Sequence, residues 1–459
     1  MSKQIIIIGA GITGLSAAHW LQKDGYSVKV IEANSEVGGS MISLKDSGYL
    51  IDFGPNSGLE TSPLIKTLVE DLNLKEEFTY ANKAGNKRYI LKNDELFALP
   101  MNPKDFLSTK LFSTKAKLRL ALEPFISKSN DGYNQSISEF VIRRLGREFL
   151  DYAINPFVAG VYAGDPDKLS VKSAFPKLYR LEELYGGLIK GTIKGARERK
   201  KSGEKSKQNA AMFSFTNGMT VLPKAIHSEL NENVILNTSV TSVEKKNDGY
   251  KVMIENNGSQ SILEADLVIS TAPAYITSEI FRTIDQELSN HLNKIYYPSV
   301  LVLYLGYDKS KIAQPLDGFG FLIPAKEKKK FLGALWSSII FDDRAPEGKA
   351  AFTLFVGGAR SPELFGNDND KLIQYVINEF QKTMGIAGKP EFIKSKFWEK
   401  AIPQYNLGYV EHENYFRQFE ENNPGIILGG NYIGGISVGD CIKNSEVLFN
   451  KAKEQLNKS

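Results

Sequence analysis

The 459-residue chain is predicted to be an α/β protein, with its principal sheet built from segments far apart in sequence, a second and mainly antiparallel sheet, and a helical insertion. Three observations predict this. The first forty residues run strand, glycine turn, helix, strand; strand-like apolar runs return at 265–273 and 426–432; and 299–356 holds four strand-like runs with few helices between them. A sheet assembled from distant pieces accounts for the first two, and an antiparallel sheet for the third.

Taken in order, Ile5-Ile6-Ile7-Ile8 is a β-branched strand that meets Gly9-Ala10-Gly11-Ile12-Thr13-Gly14 and then a helical pattern through Leu15, Ala18 and Leu21. Val28-Lys29-Val30-Ile31 follows and ends on Glu32. This is the order of a Rossmann-type dinucleotide-binding unit. Gly9 permits the turn, Gly11 lets backbone approach a pyrophosphate, and Gly14 lets the helix pack against the sheet. Glu32 is placed to accept hydrogen bonds from an adenosine ribose and to repel a 2′-phosphate, which disfavours NADP. Gly38-Gly39 and Asp52-Phe53-Gly54-Pro55 read alone as ordinary turns, but their nearness to the loop points toward a flavin.

Residues 62–74 show helical spacing after a proline start, and 87–94 read as a hairpin in which Arg88 is, in isolation, a solvated charge. The stretch 103–128 is helical and basic. On pattern alone it fits a core helix with a wet face better than a helix lying on an anionic membrane. Residues 136–151 read as a helix, 155–166 as a Gly- and Pro-punctuated loop, and 195–209 as an exposed charged connection. A helix at 222–230 and strands at 234–236, 240–245, 250–255 and 261–263 follow. The last strand, 426–432, runs through Gly434 and Gly435 into a helix at 440–456, which suits a second contact with the cofactor. The divisions expected are a nucleotide-binding part at 1–80, 213–275 and 397–459, a helical insertion at 81–212, and a second sheet at 276–396.

A net charge of +4 is too small to argue for nucleic acid. One cysteine, Cys441, forms no internal disulfide, and a reducing, cytoplasmic compartment is the expectation. The N-terminus enters the first strand at once, so no signal or transit peptide is expected. The four histidines lack metal-ligand spacing, and no metal is expected. No P-loop is present in the sequence.

Over nearly its full length the chain resembles the FAD-dependent protoporphyrinogen/coproporphyrinogen oxidase family, a branch of the amine-oxidase-like flavoproteins. The resemblance rests on Asn155-Pro156-Phe157-Val158-Ala159-Gly160-Val161-Tyr162-Ala163-Gly164-Asp165-Pro166, Gly318-Phe319-Gly320-Phe321-Leu322-Ile323-Pro324, Arg344-Ala345-Pro346-Glu347-Gly348, Phe355-Val356-Gly357-Gly358-Ala359-Arg360, Ala401-Ile402-Pro403-Gln404-Tyr405 after Trp398, and Gly429-Gly430-Asn431-Tyr432 with Gly434-Gly435. It implies FAD contacts at Gly9, Gly11, Gly14, Glu32, Gly38, Gly39, Ser40, Val240, Gly434, Ser437 and Val438. It implies substrate contacts at Arg88, Gly164, Leu322, Leu335 and Phe355, with Arg88 pairing a propionate.

The implied reaction is oxidation of protoporphyrinogen IX in haem biosynthesis, by hydride transfer from a methylene bridge to flavin N5, with oxygen or another acceptor taking the electrons. No catalytic base is implied; the protein works by placement. Coproporphyrinogen III, with four propionates instead of two, is the alternative. An amine oxidase, a desaturase or a non-catalytic flavin-binding module stands further off. The resemblance also makes the basic stretch at 103–128 a membrane-docking face, which sets peripheral membrane contact level with a wholly soluble life. Oligomeric state stays open, a homodimer included.

Overall fold

The structure is a computed structural model that describes residues 3–129, 134–202, 210–366 and 369–458. Its principal sheet has five parallel strands in the order Val234–Ile235, Ser27–Ile31, Gln4–Ile8, Leu267–Ser270, Ile426–Leu428. The three central and C-terminal strands are buried almost throughout, as a parallel sheet covered on both faces requires. Helices Ile12–Lys23, Val221–Leu230 and Val438–Lys458 pack on one face through Ile5, Ile7, Leu15 and Ile442. The other face carries Ile6, Ile8 and Val268 against an antiparallel three-stranded meander at 238–265 and helices Ala274–Phe281, Gln286–Asn293 and Tyr409–Asn422.

The second sheet has seven strands, in the order Phe392–Trp398, Val300–Asp308, Lys349–Gly357, Phe331–Leu335, Gly318–Leu322, Lys87–Lys92, Glu95–Ala98. Its pairings are antiparallel except Gly318–Leu322 with Lys87–Lys92, which run parallel. The hairpin at 87–98, grouped by sequence with the helical insertion, is thus hydrogen-bonded into the edge of this sheet. Helix Asn369–Met384 covers one face, where Phe321, Leu354 and Phe380 meet.

Residues 155–166, expected to be a loop, contain the helix Asn155–Tyr162. Pro156 stands where the π-helical turn Leu150–Ile154 passes into this helix, so the N–H it lacks falls where the hydrogen-bond pattern changes and the helix continues through it. Gly160 is inside the helix for a packing reason: a Cβ there would lie 2.7 Å from Leu322 Cδ2. The basic stretch forms two short helices, Pro103–Ser108 and Thr114–Ala121, and divides its apolar residues between core and solvent. Leu111 and Phe112 are buried against Ile90 and Tyr152, while Leu107, Leu118, Leu122 and Phe125 are exposed. Of the charged connection expected at 195–209, the first part continues the helix Leu188–Ser202 and 203–209 lie outside the described residues.

Candidate active site

Gly9 has φ +99°, a conformation that favours glycine, and its N–H donates to Ile31 O at 2.9 Å. A Cβ on Gly14 would overlap the carbonyl oxygen of Gly9 and the Thr271 hydroxyl, so the first helical turn lies directly on the loop. Above Gly11 the space is open, with no atom within 4 Å of where a Cβ would stand, and the helix that starts there has no side-chain cap. Free N–H groups, a positive dipole end and open space above a glycine fit a pyrophosphate.

Gly38 donates its N–H to Ala10 O at 2.8 Å, which brings Gly39 and the exposed Ser40 alongside the glycine loop. A Cβ on Gly54 would overlap Ser40 O, so the turn at 52–55 belongs to the same cradle. Glu32 is nearly buried; Oε2 accepts from Ala10 N at 2.8 Å and Oε1 from Asn34 N and Nδ2 at 2.9 and 2.6 Å. A carboxylate has about four acceptor sites, so capacity for a ribose hydroxyl remains. Val240 is half-buried beside a bulge in the meander, whose first residue, Thr238, donates its N–H to Glu32 O. Gly434, with φ +76°, and Ser437 are exposed where the chain enters the helix starting at Val438. Glu32→Ala is expected to remove both the ribose acceptor and the brace on Ala10; flavin absorbance per mole of protein after gel filtration should fall severalfold.

Sequence reasoning gave Thr271 no role. Its hydroxyl, 3.0 Å from Ile8 O and 3.0 Å from Gly9 O, pins the glycine loop from the neighbouring strand. The only sequence signal was the halt of the strand at Pro273. Asp52 likewise passed for a turn residue; it is buried, accepts from Ser43 Oγ at 2.5 Å and Met219 N at 2.9 Å, and lies 3.7 Å from buried Arg344. Burial pushes the Asp52 carboxyl above its usual range against the pull of Arg344.

Four of the five residues expected to meet substrate, Arg88, Leu322, Leu335 and Phe355, share one face of the seven-stranded sheet. Paired residues on neighbouring strands point the same way, and residues two apart on a strand do too. The register forms one row of Ile90, Leu322, Gly333, Phe355 and Val302, and a second of Arg88, Gly320, Leu335, Thr353 and Tyr304. On the opposite face Phe321, Ala334 and Leu354 are fully buried, whereas Leu322, Leu335 and Phe355 are only half-buried. The glycines at 320 and 333 leave the middle of this face without side chains. Arg88 is exposed and lies over the Phe319 ring, 5.4 Å from its centroid. Phe319 was missed as a site residue because nothing in its sequence neighbourhood reveals that it faces Arg88. Gly164 is buried after the helix Asn155–Tyr162, and a Cβ there would lie 2.7 Å from Leu169 and 2.8 Å from Gln404 Oε1.

A glycine-loop sheet fitted for a dinucleotide, joined to a second sheet with a half-open apolar face and an exposed arginine, defines a flavoprotein oxidoreductase. The chain belongs to the flavin containing amine oxidoreductase family, whose model matches residues 12–445, and FAD is its cofactor. It is 36% identical over 468 residues to protoporphyrinogen oxidase 2, chloroplastic/mitochondrial, of Arabidopsis thaliana, covering 96% of this chain and 92% of that one. It is 29% identical over 466 residues to coproporphyrinogen III oxidase of Bacillus subtilis, covering 98% of each. A solved structure from Exiguobacterium sp. 255-15 superposes with TM-score 0.80 at 21% identity, over 100% of this chain and 99% of that one.

Proposed function

We propose that the protein oxidises protoporphyrinogen IX to protoporphyrin IX in haem biosynthesis. The observation that carries this is the register that gathers Arg88, Leu322, Leu335 and Phe355 on one half-open sheet face. A puckered tetrapyrrole needs a broad apolar surface, and its propionate needs a planar cation at the rim. When bound, FAD would supply a two-electron acceptor at N5; conversion to the porphyrin removes six electrons and six hydrogens, so three such oxidations would be needed, each taking a hydride and releasing a proton, with oxygen reduced to peroxide as the flavin is reoxidised. The chain's own work is placement: Leu322, Leu335 and Phe355 hold the macrocycle and exclude water, Arg88 fixes its orientation, and the glycine loop with Glu32 anchors the cofactor. Higher identity to a protoporphyrinogen oxidase than to a coproporphyrinogen III oxidase supports the two-propionate substrate.

Parallel turnover of the two porphyrinogens, followed by porphyrin fluorescence, tests this; faster oxidation of coproporphyrinogen III would reverse the choice. Arg88→Ala is expected to raise KM about tenfold or more, the worth of a charge-assisted hydrogen bond, with flavin content unchanged. Loss of FAD in that variant would move Arg88 to the cofactor side.

We also place the protein in the cytoplasm, resting on an anionic membrane surface. No helix among the described residues is long and apolar enough to cross a membrane. Exposed Leu107, Leu118 and Phe125 beside exposed Lys104, Lys110 and Lys115 support docking through the two short basic helices. Leu118→Glu with Phe125→Glu should cut co-sedimentation with phosphatidylglycerol vesicles severalfold; equal sedimentation would rule out this face.

A further inference from the structure

The segment at 401–405 lies between the two halves of the site. Gln404 Nε2 donates to Tyr162 O at 2.8 Å, and Ser170 N donates to Tyr405 O at 2.8 Å, which ties the segment to the turn that carries Gly164. The Tyr405 side chain runs the other way. Its hydroxyl donates to Asn431 O at 2.7 Å and accepts from Gly435 N at 3.0 Å, bridging the two ends of the turn that carries Gly434. Its ring stacks on Tyr409 at 4.4 Å, and the Tyr409 hydroxyl donates to Tyr432 O at 2.5 Å. Asn444 Nδ2 holds Ile433 O at 2.8 Å. The turn is thus fixed at 431, 432, 433 and 435, while Gly434 between them is exposed. Both tyrosines are fully buried, and burial raises their pKa well above the ordinary value, so the hydroxyls stay neutral and can donate and accept at once.

We propose that Tyr405 is a positioning residue that couples the two sides of the site: its hydroxyl sets where the Gly434 turn meets the flavin, while its backbone is held by Ser170 and, through its neighbour Gln404, by Tyr162 O beside Gly164 on the substrate side. The inference rests on the reading of Gly434 as a flavin contact. Two adjacent residues, Gln404 held at Tyr162 and Tyr405 held at 431 and 435, fix the spacing between cofactor and substrate surfaces, and a hydride transfer is sensitive to spacing at the level of an ångström. Neither tyrosine is offered as a proton donor or acceptor in the reaction.

The test is Tyr405→Phe in the FAD-loaded protein, which keeps the stack on Tyr409 and deletes only the bridge, with Tyr409→Phe as a second variant that releases Tyr432 O. Tyr405→Phe is expected to hold stoichiometric FAD, to shift the visible absorption and circular dichroism of the bound flavin, and to slow bleaching of the flavin by porphyrinogen about tenfold or more with KM changed less than about twofold. Tyr409→Phe should shift the same spectra in the same sense. Unchanged spectra and bleaching rate in Tyr405→Phe would overturn the proposal, as would a Tyr405→Phe protein that retains no FAD. Gly434→Ala separates the two levels of the argument. If it perturbs the flavin spectrum while Tyr405→Phe does not, the proposal fails and the flavin contact stands; if neither does, the flavin contact itself is wrong.

Discussion

Gly14→Ala is expected to yield a protein that folds but carries no FAD. A methyl group there would overlap the carbonyl oxygen of Gly9 and the hydroxyl of Thr271, neither of which can give way alone. Gly9 is tied to Ile31 O, and Thr271 to Ile8 O and Gly9 O, so relief must come from lifting the first helical turn off the sheet. Overpacking of this kind costs about 1–3 kcal/mol, a modest fraction of the stability of a chain this large, but the lift displaces the N–H groups that would hold the pyrophosphate. Flavin absorbance per mole of protein should fall to background while far-ultraviolet circular dichroism is retained. A yellow Gly14→Ala protein with wild-type FAD content would show that the helix N-terminus is not the phosphate site.

Arg144→Met should be the most destabilising single change in the helical insertion, by about 3–5 kcal/mol. Arg144 is fully buried, with Nη1 3.1 Å from Glu123 Oε1 and 3.0 Å from Ile126 O, and Nη2 2.8 Å from Gly186 O and 3.0 Å from Glu182 Oε1. Glu123, equally buried, also accepts from Leu188 N at 2.7 Å and Ile189 N at 3.1 Å, the start of helix Leu188–Ser202. Removing the guanidinium strands the Glu123 carboxylate without its cation. Removing both charges in Glu123→Gln, Arg144→Met should recover part of the loss, and urea unfolding of the single and double variants measures it.

The same network makes a pH prediction. Burial alone would raise the Glu182 carboxyl, but hydrogen bonds from Arg143 and Arg144 outweigh it and hold it down at about 2. A depressed carboxyl contributes stability that is complete above its unfolded value near 4.3 and is lost as pH falls toward 2. The urea midpoint should therefore decline between about pH 4.5 and 2, and by less in Arg144→Met.

Much of the principal sheet was legible in the sequence because its strands are buried on both faces and read as unbroken β-branched runs. The helix Asn155–Tyr162 was not, since Pro156 and Gly160 signal a break when read locally; their reasons for being there are the change of hydrogen-bond pattern after the π-helical turn and the close approach of Leu322. Strand alternation could say that Leu322, Leu335 and Phe355 each have an inward or outward sense. It could not say that the three senses agree, because register between strands is set by the bulges at 318–320 and 331–333 and by the whole sheet. The basic stretch defeated a single reading because both environments claim it: Phe112 stacks on Phe149 at 4.4 Å, while Phe125, thirteen positions later, is exposed. His291 and His412, scattered in the sequence, bring their Nδ1 atoms to 2.8 Å across helices Gln286–Asn293 and Tyr409–Asn422, a meeting that no spacing rule could foresee.

The order of strands in the principal sheet has a consequence for the nascent chain. Gln4–Ile8 is made long before the strand that pairs with one of its sides, Leu267–Ser270, and Ile426–Leu428 comes later still. Throughout that interval one side of the first strand stays unpaired, a slow, non-local closure of the kind that invites aggregation. The turn around Gly434 is translated after all of these strands. If Gly434 meets the flavin as proposed, a chain truncated before this turn lacks part of the cradle that the glycine loop at 9–14 begins, so capture of the flavin follows closure of the sheet.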